Sequence, residues 1–484
     1  MRELEIDTSG VAVSRDDLAP WTRYLSEPFT ERKVIVSLDL LAAMTGKVAL
    51  LQQWGAKRPL LLADGRGSGP VPSEDDAEIV LLPEPSFPSL TEQVRARMRP
   101  AEQLTPEVVA AVEAYDPTGS AVWWVSPVGL NEPMLGRPVL GGRPAAQAAL
   151  EDKLIVDDLV EKVGGPRPAS MIVPASYDEL MRATRRVIEE SGRGQVVWAG
   201  DNRGGTNGGG DYVRLISSTQ QARSAAEFYA ERCDRVRVSE FLEGVPCSIH
   251  GIVLPDGVIT LRPVELVNML DHHNGRFLYG GLGTTWDPPA ADRSEMRELA
   301  RALGRRLQHD LGFRGAFGID GVLTRGGFRV TELNPRFSGG LTRLQRAAPD
   351  VELELVHLNA LIARDVGRAA AELEADALQS LDQHRFVDLM ALSSQRVMTE
   401  HTDVLVKAGD GRLELAETED TIIGSVVAGP SAVGTFFRLV VPDEVLGFGQ
   451  RAAQLGLLLH EFANRVWDTD FPVAQMAPDV RPWT

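Results

Sequence analysis

The sequence predicts a multi-domain fold of the α/β and α+β classes, with an open α/β domain over residues 1–145, a central region over 146–384 and a small α+β domain over 385–484. Three observations carry that expectation. The chain has 484 residues, about three times a typical single-domain length. Short apolar runs alternate with helix-like segments between residues 34 and 125, the pattern of an open sheet flanked by helices. The pattern then changes twice, near residues 146 and 385.

Residues 34–39 form an apolar run, followed by a helical segment and a second run over 58–63 that closes at Asp64-Gly65. Residues 78–82 and 121–125 read as two more strands, and Gly141-Gly142-Arg143-Pro144 as a linker. A helix carrying Leu154, Leu159 and Val163 follows Glu151-Asp152-Lys153 and stops at Gly164-Gly165-Pro166. Strand-like runs cover 194–199, 236–242 and 248–254. Between the first two, residues 203–210 hold five glycines in eight positions, which loses too much backbone entropy to form a stable helix or packed strand.

Met296, Leu299, Leu303, Leu307 and Leu311 share one face of a helix over 292–311, and Asp292 and Glu295 have the spacing of a capping box. Gly315–Thr324 and residues 328–333 flank Arg325-Gly326-Gly327 as a hairpin, and Asn334-Pro335-Arg336-Phe337-Ser338-Gly339-Gly340 follows as a loop before another helix. Strands at 404–406 and 436–441 and a helix at 455–466 fit the small carboxy-terminal unit.

Composition narrows the function classes. Apolar residues make up 43% and charged residues 24% of the chain, ordinary globular usage, and no apolar run approaches the roughly 18 residues of a membrane span. Residues 1–7 are acidic and polar, without a basic stretch leading into an apolar one, so no secretory signal is expected and the cytoplasm is the default compartment. Cys233 and Cys247 are the only cysteines, expected to be reduced and structural, which excludes thiolate zinc and iron-sulfur sites. The eight histidines show no ligand spacing; His272-His273 precedes Asn274-Gly275, a turn signal. The net charge is -18, with no long basic run, which argues against a nucleic-acid surface. Only six of the basic residues are lysine, Lys153 among them.

Asp320, Glu332 and Asn334 sit on and just beyond the two arms of the hairpin. If the two acids share a sheet face, three oxygen ligands converge without long-range folding. Such ligands suit Mg²⁺, which shares its remaining positions with water and phosphate. The spacing alone fits exposed strand-end polar groups equally well. The glycine-rich loop and Lys153 tip the balance toward a metal-nucleotide site, because backbone amides and a lone ammonium are what phosphates need.

At this point the chain resembles the ATP-grasp superfamily of carboxylate-amine ligases, over residues 150–365. The motifs are Asp152-Lys153 before a helix ending in Gly-Pro, the glycine loop, Glu240-Phe241-Leu242-Glu243-Gly244, Gly318-Ile319-Asp320, and Glu332-Leu333-Asn334-Pro335-Arg336 with Ser338-Gly339-Gly340, in matching order. The resemblance implies a multi-domain ATP-grasp fold in which Asp320, Glu332 and Asn334 bind Mg²⁺ and Lys153 touches ATP phosphate. The glycine loop, Gly204, Gly205, Thr206, Asn207 and Gly208, would close over the phosphates, and the backbone of Ser239, Glu240, Phe241 and Leu242 would meet adenine. The chain departs from the pattern twice. The strand before the loop reads Val196-Val197-Trp198-Ala199, without the usual phosphate-binding lysine, leaving Arg203 as the nearest cation; the position of the usual ribose-binding acid is Pro246.

Within the superfamily the chain is similar to the peptide ligase family of pheganomycin biosynthesis. That resemblance implies that a small, guanidino-bearing, non-proteinogenic acid is joined to the amine of a peptide in antibiotic biosynthesis. The acid would first take the γ-phosphoryl of ATP, and an amine would then attack the acyl phosphate. Arg336 is the first candidate to hold the carboxylate or the transferring phosphoryl, with Arg262 a weaker one and Arg203 a third. The expected partners are an acid donor and a peptide or amino-acid acceptor, with no nucleic acid and no membrane, and a homodimer as one option. A dipeptide ligase and a nucleotide-binding protein without ligase activity remain as alternatives.

Overall fold

Val34–Asp39 (β1) is apolar over nearly its whole length and lies at the centre of a five-stranded sheet. Leu60–Ala63 (β2), Glu78–Leu81 (β3), Val122–Trp124 (β4) and Val139–Leu140 (β5) complete it in the order β3-β2-β1-β4-β5, all parallel. Parallel strands covered on both faces read as largely apolar runs, which is why β1, β2 and β4 stand out in the sequence. One face packs Ile35, Leu60 and Trp123 against Val108 and Val112 of the helix Pro106–Tyr115. That helix starts at Thr105, whose side chain accepts from the amide of Val108, with Pro106 at its first position. On the other face, Phe29, Trp54 and Trp124 stack in mutual contact.

The computed structural model describes residues 18–417, 421–442, 445–447 and 449–481, so the reading of residues 1–7 lies outside the described residues. Among the described residues the chain divides into two compact units. One draws on residues 18–86, Ala96–Pro144 and Leu355–Gly367, the other on Phe87–Arg95, Ala145–Glu354 and the described residues of 368–481. The segment expected as a loose linker, 141–144, is packed. A Cβ on Gly142 would meet the carbonyl of Leu130 at 2.8 Å, and Arg143 is buried and bridges Leu130 through the backbone.

The second unit is built on one large sheet. Its strands are Ser170–Pro174 (β6), Val196–Gly200 (β7), Val213–Ile216 (β8), Arg235–Glu240 (β9), Gly244–Leu254 (β10), Gly257–Thr260 (β11), Val264–Asp271 (β12) and Arg276–Gly283 (β13). They continue with Gly315–Thr324 (β14), Gly327–Asn334 (β15), Val387–Ser393 (β16), Thr402–Gly409 (β17), Arg412–Leu415 (β18), Gly424–Ser431 (β19), Gly434–Val440 (β20) and Gln475–Met476 (β21). The main path runs β15-β14-β10-β12-β13-β16-β20-β19-β17-β18. Strands β6, β9, β7 and β8 form a flap that joins it where β8 meets β13. Helices Tyr177–Ser191 and Thr219–Arg232 pack on that flap, through Leu180, Val187, Ala222 and Tyr229 against Trp198 and Val238.

The helix Ala290–Leu311 buries Met296, Leu303 and Leu307 against Ile249 and Phe317. Its expected capping box does not form. The helix starts earlier, after Pro289 and without a side-chain cap, and Asp292 is instead buried in an ion pair with Arg481. Residues beyond 385 continue the same sheet through the pairing of β13 with β16, so they are not a unit apart. Their helix Ala452–Trp467 packs Leu459 and Phe462 against Val267 and Phe437. Both cysteines are buried and unpaired. Among the described residues no helix is long and apolar enough to cross a membrane.

Candidate active site

The centre of the site is a grid on three neighbouring strands. Ser248 of β10 lies opposite Asp320 of β14, and Asp320 lies opposite Glu332 of β15. Two positions along, His250, Gly318 and Asn334 form the next row. Directly opposed residues share a face and lie within side-chain contact, so the shared face that the sequence left conditional is present. A bulge follows Asp320 in the β14–β15 ladder, the kind of irregularity that re-aims side chains beside functional sites.

Hydrogen bonds tie the grid together. Asn334 donates from Nδ2 to Asp320 Oδ2 at 2.9 Å and accepts at Oδ1 from Arg336 at 3.0 Å. Arg336 also donates to Glu151 at 2.6 Å, and Lys153 Nζ lies 2.7 Å from Glu332 Oε1. Thus Glu151 and Lys153, from the segment before the helix Val156–Glu161, engage the end of β15 and the loop that follows it. Burial and then the charge of Glu332 push the Asp320 carboxyl up to about 6, while the Ser248 hydroxyl pulls it the other way. The His250 imidazole is lowered to about 4 by burial and then by the charge of Arg336, so it is neutral at pH 7.

His250 is wedged between two glycines. A Cβ on Gly340 would lie 2.5 Å from its Nε2, and one on Gly318 would lie 3.1 Å from its Cδ2. The absent side chains are what admit the ring. Sequence reasoning missed Ser248, His250 and Glu151. Two polar residues at alternate positions of an otherwise buried apolar strand were the available signal for the first two.

Among the described residues no group of three or more His, Cys, Asp and Glu gathers as a metal centre. The donor set here is two carboxylates and a carboxamide. All three donors are oxygen, and Asp320 takes its bonds from an amide and a hydroxyl while Lys153 is given to Glu332. That chemistry fits Mg²⁺.

The other expected residues lie elsewhere in the second unit. Arg262 is buried and paired with Asp287 and Asp382, an ionic cluster that also includes Arg293. The structure therefore gives it a packing role, because a buried guanidinium must find carboxylates. Arg203 donates to Asp234 at 3.0 Å and to the carbonyl of Glu231 at 2.6 Å, so its guanidinium is committed away from the carboxylate pair. The glycine loop is fastened: Asn207 donates to the carbonyl of Asp201 and accepts from Arg95, and Gly208 exchanges bonds with the Thr91 hydroxyl. A Cβ on Gly204 would meet the Arg95 guanidinium at 2.8 Å, and Gly205 has φ +108°. Thr206 is buried within that loop. Ser239 and Glu240 end β9, the side chain of Glu240 accepts from the amide of Ala169, and Phe241 donates through its backbone to Gln195 before Leu242.

Residues 205–340, which span the whole hairpin with Asp320, Glu332, Asn334 and Arg336, match the family described as the ATP-grasp domain. The fold is ATP-grasp. The phosphoribosylamine-glycine ligase of Streptomyces coelicolor is 27% identical over 221 residues, which cover 43% of this chain and 48% of that enzyme. The chain thus matches about half the length of this curated relative. Among solved structures, the biotin carboxylase domain of 2-oxoglutarate carboxylase from Hydrogenobacter thermophilus, seen with MgADP and bicarbonate, gives a TM-score of 0.51 at 12% identity, covering 92% of this chain and 91% of that one. The phosphoribosylamine-glycine ligase of Thermotoga maritima gives 0.50 at 14% identity, covering 92% and 98%. At such identities the structural likeness speaks for the ATP-grasp fold.

Proposed function

We propose that the chain is an ATP-dependent ligase that joins a carboxylate to an amine through an acyl phosphate. The observation that carries the reading is the opposition of Asp320 and Glu332, with Asn334, Arg336 and Lys153 bonded into the same network. A protein that only held adenine would have no use for paired carboxylates beside two cations. Asp320, Glu332 and Asn334 would hold Mg²⁺, which supplies charge neutralisation for the polyphosphate when bound.

The donor carboxylate oxygen attacks the γ-phosphorus and the bond to the ADP oxygen breaks. The amine nitrogen then attacks the acyl carbon, the C–N bond forms, inorganic phosphate leaves with the C–O electron pair, and the amine gives up a proton. Arg336 lies between Glu151 and Asn334 and offers a fixed guanidinium fork for the donor carboxylate. Lys153 shifts between Glu332 and phosphate. The amides at the start of the helix Gly339–Ala347 face the oxyanion of the tetrahedral intermediate. The loop over 203–210 excludes water from the acyl phosphate.

The finer reading is a peptide ligase in natural-product biosynthesis, working in the cytoplasm on a guanidino-type acid and a peptide amine. Its support is the motif order in the sequence and the acidic surplus of the chain, which suits a cationic donor. One observation favours a second reading, a nucleotide-binding protein without turnover. The strand Val196–Gly200, on which the resemblance expects a lysine, carries none, and its Trp198 is fully buried with its indole N–H bonded to Thr184. ADP and phosphate release from Mg-ATP, with acids and amines offered singly and in pairs, separates the two. ADP formed only with an acid-amine pair supports the ligase; tight ATP binding without turnover overturns it.

A further inference from the structure

The helix Gly339–Ala347 leaves the loop that carries Asn334 and Arg336. Its apolar face buries Leu341, Leu344 and Ala347, and its polar face carries Arg343 and Arg346, one turn apart. Arg343 donates to one oxygen of Asp388 at 2.7 Å, and Arg438 of β20 donates to the other at 3.0 Å. Both oxygens of Asp388 are therefore engaged. Arg346 is exposed as a residue; partial desolvation of its guanidinium and then the charges of Arg343 and Arg438 lower it, while Asp388 pulls it the other way.

Two guanidinium groups thus share one carboxylate, and Arg346 stands one helical turn from the first of them. The chain holds 68 acidic residues against 50 basic ones, so a cluster of three arginines around the single carboxylate of Asp388 runs against the balance of the whole molecule. Like charges at this range repel, and a cluster kept despite that repulsion is preorganised for an anion. The cluster is also close to the carboxylate pair. Gly340, in the first turn of the same helix, packs against His250 of the grid, and Arg343 follows three residues on.

We infer that Arg343, Arg346 and Arg438 form a subsite for an anionic group on the amine acceptor, a carboxylate or a phosphate remote from the reacting nitrogen. The inference deepens the ligase reading and rests on it for the word acceptor. Chemistry supports that assignment. A ligase that activates one carboxylate must keep any anion of its second substrate away from the γ-phosphoryl, and a guanidinium cluster set apart from the Asp320–Glu332 pair does that while leaving the amine free to reach the acyl phosphate.

Two arms test it on the full chain, with R346Q as the variant because Arg346 is exposed and no acceptor is assigned to it among the described residues. In the first arm, calorimetric titration with inorganic phosphate and with acetate, at constant ionic strength, should show saturable binding of at least one. R346Q should weaken it about tenfold, the loss of one charge-assisted bond. Equal binding by both proteins, or none by either, overturns the subsite whatever becomes of the ligase. In the second arm, amine acceptors ending in a carboxylate, a phosphate or a neutral amide are offered with an accepted acid. R346Q should raise KM for the anionic acceptor about tenfold and leave KM for ATP unchanged, and the favoured anion names the source. Preference for the neutral acceptor in the unmodified protein overturns the assignment to the acceptor. ADP release with no pair at all would sink the ligase reading and leave the first arm to decide the subsite.

Discussion

Lys153 and Glu332, separated by 179 positions in the chain, meet at 2.7 Å. Their contact joins the segment before the helix Val156–Glu161 to the hairpin that carries Asp320. The carboxylate pair therefore already answers to one cation, and phosphate and carboxylate compete for the same ammonium. E332Q should lower Mg-ATP turnover by at least about a hundredfold, about 3 kcal/mol of lost transition-state stabilisation. Unchanged ADP release in that variant would remove Glu332 from the site.

G340A places a methyl group 2.5 Å from His250 Nε2, and the ring has Gly318 on its other side. Overpacking of this kind costs about 1–3 kcal/mol. Urea unfolding should show that loss, and adding H250A should recover most of it, since the two positions share one space. Additive losses in the double variant would mean that the clash is relieved elsewhere.

Arg237 grips Asp157 through two bonds of 2.7 Å, both side chains being buried, and Asp157 also accepts from Ser170. Removing one partner strands the other, at a cost of about 3–5 kcal/mol. D157A should lower the urea midpoint accordingly, and D157A with R237M should regain part of it. A single variant as stable as the parent would show that water reaches the pair.

Arg203 makes an exposed ion pair with Asp234, and such pairs contribute about 0–1 kcal/mol. R203A should leave stability nearly unchanged and KM for ATP within about twofold, since the guanidinium is bonded elsewhere. A several-fold rise in that KM would return Arg203 to the phosphates.

Both thiols are protonated at neutral pH. Burial, and then the charge of Asp201, pushes Cys233 up to about 12, and burial raises Cys247 further. Mass spectrometry after iodoacetamide treatment should find both unlabelled in the folded protein and labelled in urea. Rapid native labelling of either would point to local opening.

The readable parts of the sequence were those set by local patterning. The strands β1, β2 and β4 stood out because parallel strands with both faces covered are largely apolar, and the β14–β15 hairpin because its turn holds two glycines between apolar arms. Asp320, Glu332 and Asn334 were legible as neighbours for the same reason, lying on one local element. Glu151 was missed as the partner of Arg336, and Asp292 was misread as a cap, because each is defined by a residue far along the chain. The fate of Arg262 was also illegible. Asp287 and Asp382 come to it only through tertiary folding, and nothing at position 262 distinguishes a substrate-facing arginine from one locked in a buried ionic cluster.

The large sheet sets how this unit can reach its native state. Asp320 finds Ser248, Asp388 finds Leu282, and Gln475 finds Leu270 only after long stretches of chain between them have been brought together. Non-local pairings must meet their loop-closure entropy before any contact rewards it. Refolding from denaturant should therefore be slow, and should pass through species in which the second half of β12, beyond its pairing with β10, shows an unpaired edge until β21 arrives. Such an edge invites intermolecular strand addition, so recovery of native protein should fall as the concentration during refolding rises.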